Sequence, residues 1–153
     1  AIIERNGGYV DNYMGDGIMA LFGTENADNA AHNAVKAGIE MLEAVEKLKP
    51  YIQSLYQWEF QIGIGVHYGV AVIGTLSAAN KRVSAIGDSV NFASRVESAN
   101  KDAGTQFLIS EETYQAVKDQ IDCTKKIRVR LKGKSGEHDL YEVKGMQVEA
   151  DKK

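Results

Sequence analysis

The amino-acid sequence predicts an α+β fold, a mostly antiparallel sheet with helices packed on one face, rather than a doubly wound parallel sheet. Two observations predict it. Strand-like runs come in pairs joined by glycine-bearing corners, YVDNYM and IMALF about Gly15-Asp16-Gly17, then KIRVRLKG and HDLYEVKG about Lys134-Ser135-Gly136, and such corners join hairpin strands. Between the pairs lie segments whose apolar residues recur at helical spacing, so helices and hairpins interleave along one chain.

Ala1 to Asn6 reads as the last turn of a helix, stopped by the breaker Gly7-Gly8. Strand, turn and strand follow from Tyr9 to Phe22, with Asp16 at the tip. Asp28 or Asn29 is placed to cap a long helix, in which Ala34, Gly38, Met41, Val45 and Leu48 form a stripe that Val35, Ile39 and Leu42 widen. Pro50 is expected to end or kink it. From Trp58 to Thr75 strand character returns as FQIGIGVHYG and VAVIGT, with the turn at Gly69 and other glycines where side chains would crowd. After the polar SAANKR comes a short strand, VSAIG, and then a second helix opened by Asp88. The remainder is a strand over Gln106 to Ile109, a helix from Glu111 to Lys118 capped by Ser110, and the closing strand pair. The tail QVEADKK, residues 147–153, is expected to be disordered.

A chain of 153 residues suffices for one domain with a single core, needing no disulfide or structural metal. With 18 Lys+Arg against 21 Asp+Glu the net charge is −3, which argues against a general electrostatic grip on nucleic acid or on an anionic membrane. Cys123 is the single cysteine, so an internal disulfide and a thiolate metal cluster are excluded and a reducing, cytoplasmic compartment is expected. No apolar run has the length of a membrane span; no membrane contact is expected from this segment, although a parent protein can be anchored elsewhere. The chain opens on Ala1 rather than Met, and AIIERNGG lacks a signal-peptide pattern, so a processed protein or a piece of a longer one is expected.

Three constellations can carry chemistry. In Asn12-Tyr13-Met14-Gly15-Asp16-Gly17 a carboxylate projects from a tight turn at a strand end, a position where a hard cation such as Mg²⁺ finds an oxygen ligand; a plain turn aspartate looks the same. In the run from Ser84 to Arg95, Asn91 and Arg95 stand four apart on one helical face beside the apolar Phe92, Val96 and Ala99. An amide there can hold a ribose, and a guanidinium can follow charge developing on a phosphoryl group; the alternative is a solvated face with Arg95 paired to an acid. Leu131 to Gly136 is a basic, glycine-containing turn without P-loop spacing. Gly63-Ile64-Gly65 is no dinucleotide fingerprint, because no third glycine follows at the required spacing and no helix begins there. His32 and His138 are expected on the surface, and His67 as a packed or hydrogen-bonded histidine in a strand.

Taken together and in order, GYVDNYMGDGIMALF (residues 8–22), IGIGVHYG (62–69), AIGDSVNFASR (85–95) and LKGK (131–134) resemble the class III adenylyl/guanylyl cyclase catalytic domain, over almost the whole chain. AIGDSVNFASR is the most specific of the four. The resemblance implies a ferredoxin-like, mostly antiparallel sheet with helices packed on it, over residues 1–146. It implies a reaction in which the ribose 3′-hydroxyl of a nucleoside triphosphate attacks its own α-phosphorus and expels pyrophosphate, with two ions of Mg²⁺ or Mn²⁺. On this resemblance Asp16 is a metal ligand, Asn91 positions the ribose, Arg95 stabilises the transition state, Lys132 meets the phosphates, and Asn12 and Ser84 line the base pocket. Family sites form across a head-to-tail homodimer, and a sensor or regulatory domain is expected upstream in the parent chain.

Two departures from the family pattern bear on activity. The strand carrying the first metal aspartate has no counterpart in this chain, so the chain alone is expected to be inactive or nearly so. Adenylyl cyclases typically carry Lys where this chain has Asn12 and Asp or Thr where it has Ser84, whereas guanylyl cyclases carry Glu and Cys. Ser84 is chemically nearest the Thr variant, since a hydroxyl accepts from the adenine amino group, which favours ATP over GTP. The competing reading is a catalytically silent cyclase-like module for dimerisation or nucleotide binding; a diguanylate cyclase is disfavoured because no GGDEF-type run is present.

Overall fold

The computed structural model describes residues 1–15, 17–24, 28–57, 60–69, 72–75, 83–86, 88–130 and 136–146. A short helix α1 (Ile2–Arg5) leads into an antiparallel hairpin of β1 (Gly8–Met14) and β2 (Gly17–Phe22), and then into the long helix α2 (Ala30–Tyr56). Next come β3 (Ile64–Val66), β4 (Val72–Thr75), β5 (Val83–Ile86) and helix α3 (Asp88–Ala103). The chain closes with β6 (Phe107–Ser110), α4 (Glu111–Val117), β7 (Ile121–Arg130) and β8 (Glu137–Met146). The strands form a four-stranded sheet in the order β3-β6-β8-β7 and two separate two-stranded ribbons, β1-β2 and β4-β5.

β6 is the centre of the molecule, and all four of its residues are buried. Phe107 and Ile109 join Val35 of α2, Val117 of α4, and Tyr141 and Val143 of β8 in one apolar cluster. Leu108 joins Phe92 and Val96 of α3 and Leu140 of β8 in another. Since alternate strand residues point to opposite faces, α2 and α4 cover one face of this sheet and α3 covers the other. The expectation of helices on a single face is therefore corrected: FLIS carries two buried faces, where alternation of apolar and polar residues disappears.

α3 lies almost directly on β3. A Cβ on Gly65 would stand 2.3 Å from the backbone nitrogen of Glu97, so only glycine permits this approach. Asn100, buried near the far end of α3, donates from Nδ2 to the carbonyls of Ile64 and Glu97, both at 2.9 Å, and accepts from Thr105 Oγ1 at 2.8 Å. These bonds fix the helix to the edge of the sheet.

Other expectations are refined. The strand FQIGIGVHYG narrows to Ile64–Val66, which pairs in parallel with β6. Among the described residues it makes no hairpin with β4, which pairs with β5 instead. Pro50 does not end α2, which runs on to Tyr56; Pro50 is exposed, so the carbonyl deprived of its partner is hydrated rather than buried. Leu48 is 48% exposed, off the buried stripe of Val35, Gly38 and Val45. Asn29 takes the N-cap position of α2, yet in a left-handed conformation and without a side-chain capping bond. Ser110 caps α4 as expected, its Oγ accepting from the Thr113 backbone N–H at 3.3 Å. The tail 147–153 lies outside the described residues.

Candidate active site

The hairpin brings its glycine corner to a two-residue connection. Met14 pairs with Gly17, so only Gly15 and Asp16 lie between the strands, and Gly15 takes φ +61°, which L side chains rarely adopt. Asp16 itself lies outside the described residues. Further along β1 the register slips between Val10 and Asn12, leaving Asp11 as the extra residue of a β-bulge. Asp11 is turned inward, 3% exposed, while Asn12 and Tyr13 are both exposed. The bulge thus presents two successive residues to solvent where a regular strand would present one.

β1 adjoins β5, and β5 adjoins α3. The strand bearing Asn12 and the strand bearing Ser84 therefore stand side by side, next to the helix bearing Asn91 and Arg95. On α3, Asn91 is exposed and Arg95 half-buried, four residues apart on one face. Arg95 Nη1 lies 3.4 Å from the Asn91 carbonyl oxygen, and among the described residues no carboxylate pairs with its guanidinium. The alternative of an Arg95 neutralised by a nearby acid finds no support among them. Lys132, with the rest of 131–135, lies outside the described residues; the strands it connects, β7 and β8, pair in register up to Arg130 and Glu137.

Cys123 is no competing nucleophile. Burial first, and the neighbouring Asp122 second, push its thiol up to about 11, so it is not a thiolate at neutral pH.

The family model for the adenylate and guanylate cyclase catalytic domain matches residues 1–145. The chain belongs to this family. It is 36% identical to an adenylate cyclase of Anabaena cylindrica, over 93% of this chain and 29% of that protein. It is 30% identical to the receptor-type guanylate cyclase gcy-13 of Caenorhabditis elegans, over 98% of this chain and 15% of that one. Among solved structures, the guanylyl cyclase Cya2 superposes with a TM-score of 0.84 at 28% identity, over 98% of this chain and 76% of the other. The adenylyl cyclase CyaB from P. aeruginosa gives 0.80 at 31% identity, over 95% and 76%. The chain spans less than a third of the length of these curated relatives. Adenylate and guanylate cyclases both appear among them, so membership of the family does not choose between the two purines. The class III cyclase fold expected from the motifs is the fold observed.

For the cyclase domain, sequence reasoning singled out Asn91 and Arg95 by spacing, and the structure places them on one accessible face. It missed the inward turn of Asp11. Its only signal was an acid set between Val10 and Asn12 in a strand, which fixes no bulge. His138 is corrected from a surface residue to a half-buried one, its ring 5.2 Å from that of Phe92 in an edge-to-face contact. His32, also expected on the surface, is likewise half-buried, with Nδ1 3.0 Å from Gln120 Oε1.

Proposed function

We propose that the protein carrying this domain forms 3′,5′-cyclic AMP and pyrophosphate from ATP, at a site shared between two copies of the chain. The observation that carries this reading is the Asn91–Arg95 face of α3, where a half-buried guanidinium without an acid partner among the described residues stands one helical turn from an exposed amide. A fixed cation in such a place acts most strongly when negative charge builds during phosphoryl transfer.

The residues fit a divalent ion in part. Asp16 offers a carboxylate oxygen, the donor type that Mg²⁺ and Mn²⁺ take, at the end of a hairpin. Among the described residues no group of three His, Cys, Asp or Glu side chains is arranged to hold an ion, so in this reading Asp16 is this chain's own ligand. The ions, when bound, supply positive charge at the attacking oxygen and at the leaving pyrophosphate. The other steps belong to side chains. Asn91 hydrogen-bonds the ribose and directs its 3′-hydroxyl at the α-phosphorus. Arg95 takes up the charge gathering on the equatorial oxygens, and Lys132 holds the terminal phosphates. Asn12 and the Ser84 hydroxyl meet the purine edge, where an oxygen accepts from the adenine amino group.

A guanylyl cyclase is the second reading, favoured by the high structural similarity to one such enzyme. The deciding experiment incubates the full-length protein with ATP or GTP and Mg²⁺ or Mn²⁺ and separates the products. Cyclic AMP as the main product, abolished in Arg95→Ala, is the expected result. Cyclic GMP as the main product transfers the assignment to the second reading. Absence of both leaves a cyclase-like binding module.

A further inference from the structure

His67 follows β3 directly, and its side chain is 10% exposed. Its Nδ1 is 2.8 Å from Ser110 Oγ, inside a chain of hydroxyl groups whose protons can be counted. Thr113 Oγ1 donates to the Val66 carbonyl at 3.2 Å, so the Thr113 proton is committed. The 3.0 Å contact between Ser110 Oγ and Thr113 Oγ1 then takes its proton from Ser110. Ser110 Oγ has no proton left for the histidine, and it already accepts from the Thr113 N–H. Nδ1 must therefore be the donor. On the other side of the ring, Nε2 and Ser89 Oγ each stand 2.8 Å from the point a Gly69 Cβ would occupy. The ring face meets Phe92 edge-to-face at 4.5 Å. Ser89 and Phe92 belong to the first turns of α3 and flank Asn91; Arg95 follows one turn later.

We propose that His67 is a positioning residue of the cyclase site: an Nδ1-protonated imidazole, anchored on Ser110, whose Nε2 edge and ring face set the first turns of α3 and so the placement of Asn91 and Arg95. It rests on the proposed function for what those two residues do. Titratable groups near the ring include Glu112, with Oε1 3.9 Å from Nδ1 and 61% exposed, and His138 beyond Phe92.

Two measurements on the full-length protein test it. Nuclear magnetic resonance of isotope-labelled histidine nitrogens should find Nδ1 protonated near neutral pH; an Nδ1 without a proton overturns the proposal. His67→Phe, which keeps a ring without nitrogens, should lower kcat on the order of tenfold or more, since small displacements of positioning groups are costly in rate. KM should stay within about threefold, the split expected when only transition-state contacts are lost. His67→Asn, which restores the donor at the Nδ1 position but not the ring, should recover only part of the loss, at a melting temperature no higher than that of His67→Phe. Losses that follow the melting temperature in both variants, or unchanged kcat in His67→Phe, overturn it. Should the protein form no cyclic nucleotide at all, the proposed function fails separately. The inference is then decided by the ring nitrogens and by the amide resonance of Asn91, which must move in His67→Phe.

Discussion

In the four-stranded sheet every residue of β6 is buried, Phe107 and Leu108 to 1% and 0% exposure, whereas in the β1–β2 ribbon the facing residues Tyr13 and Ile18 are 75% and 45% exposed. A two-stranded ribbon alone is marginal in water, and this one is held by its neighbours. Arg5 pairs with Glu40 of α2 at 2.9 Å, and Asn6 Nδ2 donates to the same carboxylate at 3.0 Å. These two bonds also hold the Glu40 carboxyl below its usual range, the Asn6 bond most. The difference teaches that stability and chemistry occupy different parts of the chain. The sheet supplies the apolar burial, while the ribbons, the outer face of α3 and the segment between β7 and β8 carry the residues proposed to meet nucleotide.

The largest expected effect tests the buried side of that comparison. Phe107→Ala should cost about 3–5 kcal/mol, the range for large aromatic truncations in a core, read as a shift of the urea midpoint. Tyr13→Ala on the ribbon should cost under about 0.5 kcal/mol, as surface changes do. A comparable loss at Tyr13 would break the comparison, because it would mean that the ribbon face is covered in solution.

On the chemical side, Arg95→Ala should lower kcat by about 10²-fold or more, with KM little changed and the melting temperature untouched. Mixing full-length Arg95→Ala with full-length Asp16→Ala should restore part of the activity, since each heterodimer then assembles one site with both residues intact. Subunit exchange without recovery would place Asp16 and Arg95 in one chain's own site. A smaller effect is expected at the base. Asn12→Glu combined with Ser84→Cys should move the ATP/GTP turnover ratio toward GTP by about tenfold, because a pocket built for one hydrogen-bonding pattern rejects another. An unchanged ratio removes these two residues from the purine site.

How much of this was legible in the sequence depended on range. The β1–β2 hairpin, the Ser110 cap and the Asn91–Arg95 face are local, set by a glycine corner, a capping residue and a spacing of four. The parallel pairing of Ile64–Val66 with Phe107–Ile109 is not, because nothing near residue 64 announces a partner so far along the chain. Alternation fails in FLIS for the reason that makes it the core: both of its faces are buried. Pro50, expected to end or kink α2, does not end it, a local stop signal overridden where its side of the helix faces water. Polar residues were read least well. Asp11 is turned inward by a bulge; His67, by contrast, is packed and hydrogen-bonded as expected, though its partner is a hydroxyl 43 residues away.

The smallest expected effect lies where the sheet meets α4, at an acid–phenol pair, and it divides the comparison by pH. Tyr141 OH donates to Glu111 Oε1 at 2.7 Å, linking β8 to the first turn of α4, with the Tyr114 ring stacked on Tyr141 at 3.8 Å. The phenol holds the Glu111 carboxyl below its ordinary 4.5, with the Gln115 side chain adding to it. Burial first, and the same hydrogen bond second, raise the Tyr141 phenol above its ordinary 10.0. A depressed carboxyl stabilises the fold above its unfolded value and loses that contribution as pH falls through the folded one. A raised phenol stabilises the fold below its unfolded value and loses that contribution as pH rises through the folded one. The bond therefore contributes most between these limits, on the order of 1 kcal/mol for a partly solvated bond to a charged acceptor. Tyr141→Phe should lower stability by that amount at neutral pH and flatten the loss seen below pH 4.5. Cyclase turnover should be unaffected, since neither residue lies on the α3 face or in the ribbons. An equal drop in stability at every pH would show that the variant loses packing on Tyr114 rather than the hydrogen bond.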